Sequence, residues 1–159
     1  MSKKILSIIS LWFLITFCWV LKNEYTLNTG REVLLETVPV DPRDLFMGDY
    51  VILSFKISQP SFYMLKRYDK EKPVYVYLKV KEKNIARYSK MSQIEPDPDD
   101  NSLYIKGKIK NNRIIYGIEN YYVKEKTGKT LERELRNGAL VKVKIDKYGN
   151  AKVIGFVDK

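Results

Sequence analysis

The chain has 159 residues, with 29 Lys+Arg against 19 Asp+Glu, one cysteine and no histidine. That length suits one modest domain plus an appendage. The missing histidine excludes Ser-His-Asp and Cys-His catalysis, HExxH zinc sites and imidazole pH switches, and the single cysteine excludes intrachain disulfides and CxxC motifs.

Residues 5–21, ILSIISLWFLITFCWVL, carry no charge; Lys3 and Lys4 precede them and Lys22 follows. As a helix they rise about 26 Å at about 1.5 Å per residue, the short end of what crosses a hydrocarbon core of about 30 Å. Their Leu, Ile, Val and Phe residues favour insertion by about 3–7 kcal/mol in total. Ser7, Ser10 and Thr16 oppose it, but a helical hydroxyl bonds back to its own backbone. Trp19 and Tyr25 lie where an interfacial belt belongs. The stretch Phe17-Cys18-Trp19-Val20-Leu21 is bulky where a cleaved signal wants small residues, and Phe17 is bulky where a lipidation signal at Cys18 wants a small one. The expectation is a retained single-pass anchor in the inner (cytoplasmic) membrane, with cleavage and lipidation as the alternatives.

Lys3 and Lys4 keep the N-terminus cytoplasmic by the positive-inside rule, and Lys22 and Arg31 partly offset them. The expected organisation is residues 1–4 cytoplasmic, 5–21 in the membrane, 22–30 a short polar tether, and 31–159 an extracytoplasmic domain in the periplasm or outside. Beyond the apolar stretch, 27 Lys+Arg stand against 19 Asp+Glu. Such an excess attracts anionic lipid or acidic wall polymer; the abundance of Lys, Ile, Asn and Tyr also fits drift in base composition. The basic residues are scattered as Lys-x-Lys on expected strands, so no nucleic-acid partner is expected.

The domain reads as mainly β, a β-rich α+β fold of antiparallel strands with one or two short helices. Residues 31–40 and 49–57 are expected strands around an insertion. Residues 61–71, between Pro60 and Pro73, hold a short helix or an irregular excursion. Pro73 to Lys83 is a strand rich in Val and Tyr, and Asn84 to Gln93 pairs back with it. Glu95-Pro96-Asp97-Pro98-Asp99-Asp100-Asn101 is an acidic, proline-broken stretch, read as a solvated loop; a weak Ca²⁺ site is the alternative, without EF-hand spacing. Leu103 to Lys110 and Arg113 to Ile118 make a hairpin through Asn111-Asn112. Residues 130–137 make about two helical turns ending at Gly138. Val141, Val143 and Ile145 alternate with Lys142 and Lys144, and residues 139–157 form a second hairpin.

The densest local chemistry lies at 37–55. Asp41-Pro42 ends a strand and opens a turn, with Asp41 as an N-cap and Pro42 at the first helical position. Arg43 offers a planar fork to Asp41, Asp44 or Asp49. Gly48 permits positive φ before the next strand, and Asp49 accepts N–H bonds at that bend. Tyr50, Ile52 and Ser54 share one strand face; Val51, Leu53 and Phe55 share the other. Two readings stay open: a polar corner that recognises a partner, or a structural corner whose charges satisfy each other.

GDYVILSF at 48–55 resembles the signature of the GDYXXLXY family. Gly48, Asp49, Tyr50 and Leu53 match, and Phe55 stands in for the final tyrosine. DPRD at 41–44 is similar to the approach to that motif. Gly117-Ile118-Glu119-Asn120-Tyr121-Tyr122-Val123-Lys124-Glu125 is similar to a second block of the family, with Lys124 where proline is expected. The hairpin from Ala139 to Phe156 also resembles the family's C-terminal end. The resemblance implies one N-terminal span, an exported domain and an integral membrane protein as partner, since members tend to be encoded beside or fused to multi-span membrane proteins. It implies no catalytic residues.

The expectation is therefore a membrane-anchored accessory or interaction protein of the bacterial envelope, with Asp41, Arg43, Asp44, Gly48, Asp49, Tyr50, Glu119, Tyr121 and Glu125 as the candidate contact surface. A binding module for anionic envelope lipid or polymer is the alternative. A His-independent hydrolase is a second alternative, on Ser54 with Lys56 or on a carboxylate pair from Asp44 with Glu119 or Glu125. No cofactor and no metal are expected.

Overall fold

A single helix, α1, runs Lys3–Thr29 in the computed structural model, which describes residues 3–38, 50–97, 101–122, 135 and 138–157. It is apolar and long enough to cross a membrane, and its most apolar stretch buries nothing against the rest of the chain. Ser7 Oγ donates to the Lys3 carbonyl and Thr16 Oγ1 to the Trp12 carbonyl, so hydroxyls in the apolar run are satisfied within the helix. The segment expected as a tether is the continuation of this helix: residues 22–29 hold no Pro or Gly to break it. It stops at Gly30, whose N–H bonds the Thr26 carbonyl and where any Cβ would overlap that same oxygen.

Among the described residues nine strands follow, antiparallel wherever they form ladders. In the first sheet β8 (Leu140–Ile145) lies between β1 (Arg31–Glu36) and β9 (Ala151–Phe156). The register sets Val33 opposite Val143 and Leu35 opposite Val141. All four are fully buried, while Lys142 and Lys144 stand on the other face. In the second sheet β3 (Pro73–Val80) and β5 (Tyr104–Lys110) are central, flanked by β4 (Ala86–Ser92) and β6 (Arg113–Ile115). Asn111 and Asn112 both take positive φ, the two-residue turn that matches strand twist in a hairpin. The short ribbon β2 (Tyr50–Ile52) with β7 (Asn120–Tyr122) is the third piece. Helix α2 is one turn, Phe62–Leu65, inside the excursion expected between the two prolines.

Bridges sew these pieces into a curled half-barrel. Thr37 pairs with Phe55, and Leu34 pairs with Ile85, which carries β1 to the ribbon on one side and to the second sheet on the other. Thr37 bonds Ala139 through both backbone and hydroxyl. One core results, drawing Leu35 and Val143 from the first sheet, Val51 from the ribbon, Leu53 and Phe55 from the segment that follows it, and Val76, Ile105 and Ile114 from the second sheet. Each such side chain contributes about 1.5–3 kcal/mol on full burial.

The fold class is the expected one, mainly β with an N-terminal apolar helix, and both hairpins and the β3–β4 pairing form where the alternation places them. The strand expected over 49–57 is shorter: after Ile52 the backbone bends into a 3-10 turn at Lys56–Ser58. The alternation persists regardless, with Val51, Leu53 and Phe55 all buried. The helix expected at 130–137 lies outside the described residues except Leu135, which is helical, buried and bonded through its carbonyl to Gly138 N–H. Gly138 has the positive φ of a helix-ending glycine.

Candidate functional site

The two signature stretches meet as one ribbon. Tyr50 pairs with Tyr122, Val51 with Tyr121 and Ile52 with Asn120, and Leu53 N–H continues the ladder to the Glu119 carbonyl at 2.6 Å. Asp41, Arg43, Asp44, Gly48, Asp49 and Glu125 lie outside the described residues, as does the Tyr50 side chain.

Glu119 and Tyr121, expected in the contact surface, are engaged within the fold. The Glu119 carboxylate accepts Tyr116 N–H at 2.6 Å and Gly117 N–H at 2.8 Å, closing the bend between β6 and β7. Tyr121 sets its ring edge-on to Phe156, centroids 5.1 Å apart, and so ties the ribbon to β9. Tyr122, next along, is exposed over 76% of its surface and presents the ribbon's outer face. Beneath the bend, Tyr116 is buried and donates its hydroxyl to the Ile57 carbonyl at 2.7 Å. Burial first, then the nearby Glu119 charge, push its phenol well above the ordinary 10.0.

Ser54 and Lys56 are not brought together as a dyad. Lys56 Nζ reaches Glu36 Oε2 at 3.2 Å, and Ser54 Oγ accepts from Gln59 Nε2. Arg87 approaches the other Glu36 oxygen at 3.8 Å, so Lys56 and Arg87 share one carboxylate. Among the described residues no cluster of three His, Cys, Asp or Glu side chains converges as a metal site.

A second polar centre, which sequence reasoning missed, joins helix to domain. Asp146 ends β8 and is buried. One carboxylate oxygen accepts Tyr148 N–H and Asn150 N–H, both at 2.9 Å, and so builds the turn into β9. The other accepts the Thr26 hydroxyl at 2.7 Å, from a side chain 1% exposed on the last full turn of α1. Lys144 Nζ donates to the Leu27 carbonyl nearby, and Tyr25 tilts against Tyr148. On its far side the same turn meets β5: Lys106 N–H bonds the Gly149 carbonyl at 2.9 Å, and Tyr104 O–H bonds the Lys147 carbonyl at 2.6 Å. Gly149 is required here, because its φ is +76° and a Cβ would lie 2.7 Å from the Tyr104 ring. Helix, first sheet and second sheet therefore share one five-residue turn. The Asn150 side-chain amide also donates to Asp146, at 2.9 Å to the oxygen that accepts Thr26, so the turn holds both carboxylate oxygens locally and nothing in its sequence announces the distant partner.

This architecture is an apolar N-terminal helix fixed to a small curled β domain whose two signature stretches form one ribbon. The sequence profile of the family described as GDYXXLXY protein matches residues 12–156, and the chain belongs to that family. No curated protein matches the chain, and no solved structure does.

Proposed function

We propose that the protein is a membrane-anchored accessory protein of the bacterial envelope, held in the cytoplasmic membrane by α1 with its N-terminus inside. Its β domain then lies outside the cytosol and docks on an integral, multi-span membrane protein. The observation that carries this reading is the junction: α1 enters the domain without a break and is fastened by the buried Thr26–Asp146 bond. A fixed stance on the bilayer suits a domain that meets a partner in the same membrane; a domain working on soluble ligands needs only a loose tether. The ribbon is the proposed contact, with the exposed Tyr122 ring as an amphipathic anchor. Glu119 and Tyr121 shape that surface from behind.

The test is site-specific photocrosslinking of the full chain in its native membrane. A crosslinker at Tyr122 is expected to yield one adduct with a multi-span membrane protein, lost in Asp49→Ala while the domain stays folded. Adducts obtained equally from Tyr63, at the exposed α2 turn, or from neither position would contradict the reading.

A further inference from the structure

A cleft of about 540 Å³ opens between the exit of α1 and the β domain. Its helix wall includes Trp19 and Lys22, which close the apolar segment; its domain wall comes from β5, β6 and the start of β9. Lys22, Lys106, Lys108, Lys110 and Lys152 line it, and among the described residues no acidic side chain does. Lys106, Lys108 and Lys110 are alternate, exposed positions of β5, so strand geometry aims all three ammonium groups to the same side. Among the described residues none of the five pairs with a carboxylate. Between the charges the lining is largely apolar, with Trp19 and Ile115 contributing.

We propose that this cleft binds the phosphate headgroup of an anionic phospholipid lying against α1. Several lysines around one concavity fit a phosphate diester and disfavour a zwitterionic headgroup, whose own cation they would repel; Lys106 Nζ lies 5.5 Å from the Tyr75 ring centroid, and Lys22 and Lys106 also border the neighbouring pocket that holds Glu95 and Asp146. The position selects a lipid over a soluble phosphate: the cleft starts at the last bulky apolar residues of α1, whose exposed side chains run on for the length of an acyl chain. A headgroup seated among the lysines keeps its tails on that surface. Trp19 suits this boundary, with an apolar ring and a polar N–H. The bound lipid would close the gap under β5 and brace the domain on the bilayer. This inference rests on the retained anchor proposed above and is independent of any docking partner.

The experiment is native mass spectrometry of the full chain in detergent, titrated with phosphatidylglycerol or phosphatidylcholine. The expected result is saturable retention of one phosphatidylglycerol, at least about tenfold tighter than phosphatidylcholine. The triple variant Lys106→Gln/Lys108→Gln/Lys110→Gln is expected to lose that preference. The corresponding Lys→Arg variant retains it, and Lys79→Gln/Lys81→Gln/Lys83→Gln, which removes equal charge at the far end of β3, leaves it unchanged. Equal retention of both lipids, or an unaffected β5 triple variant, overturns the proposal. Displacement by equimolar inorganic phosphate or glycerol phosphate assigns the cleft to a free phosphate ester and overturns the lipid assignment. The same spectrum weighs the chain: a species lacking α1 overturns the anchor reading and the cleft with it, whereas an intact chain without lipid preference overturns this inference alone.

Discussion

Two carboxylates do similar local work in two different bends of the domain. Glu119 gathers two backbone N–H groups within three residues and fixes the bend behind the signature ribbon. Asp146 also gathers two backbone N–H groups, but it is buried and reaches Thr26, 120 residues away in sequence. The first shapes a surface, and the second holds two parts of the molecule together. A carboxylate half in water loses little when its partners can turn to solvent, whereas a buried one leaves every partner stranded. The helix junction is therefore expected to govern stability and orientation, and the ribbon to govern recognition.

Asp146→Ala gives the largest expected effect. It strands the turn's N–H groups, leaves the Thr26 hydroxyl only its longer bond to the Lys22 carbonyl, and should cost about 3 kcal/mol of domain stability, read by thermal unfolding of the full chain in detergent. Gly149→Ala attacks the same turn by sterics: the positive φ and the close Tyr104 ring should cost about 2 kcal/mol in the same assay. A loss no larger than that of an exposed-site variant would remove the turn from its central place. On the ribbon side, Glu119→Ala should cost only about 1.5 kcal/mol. It should nevertheless weaken crosslinking from Tyr122 more than Gly149→Ala does, which would separate recognition from stability. Equal weakening by both would erase the distinction.

The hairpins, the buried alternation of Val51, Leu53 and Phe55, and the glycine stop at Gly138 were legible because each depends on residues close in sequence. The junction was not. Lys22 to Thr29 is polar, and polarity alone reads as a tether; what keeps it helical is the absence of breakers and a bond whose acceptor lies near the chain's other end. Tyr121 reads as a contact residue, and its sequence neighbours do not announce the Phe156 ring of β9 that packs against it. Glu119 reads as a contact-surface carboxylate, and nothing in its neighbours announces that the chain bends back onto it. Such long-range pairs follow from topology, and the pattern of a single segment does not contain them.

Tyr116 gives the smallest expected effect and refines the ribbon side of the comparison. Tyr116→Phe removes the bond to the Ile57 carbonyl and should cost about 1 kcal/mol at neutral pH. Its phenol is raised in the folded chain and ionises near pH 10 in the unfolded one. The stability it contributes is therefore intact below pH 10 and falls as the pH rises beyond that value. Unfolding between pH 8 and 11 should show a steeper alkaline loss in the native chain than in Tyr116→Phe. Parallel curves would contradict this assignment.

Helix and domain are expected to move as one body. Spin labels at Leu21 and Lys90, in a Cys18→Ser background and reconstituted in bilayers, measure it by pulsed electron resonance. A narrow distance distribution that broadens in Asp146→Ala is the predicted result; a distribution already broad in the native chain would contradict it.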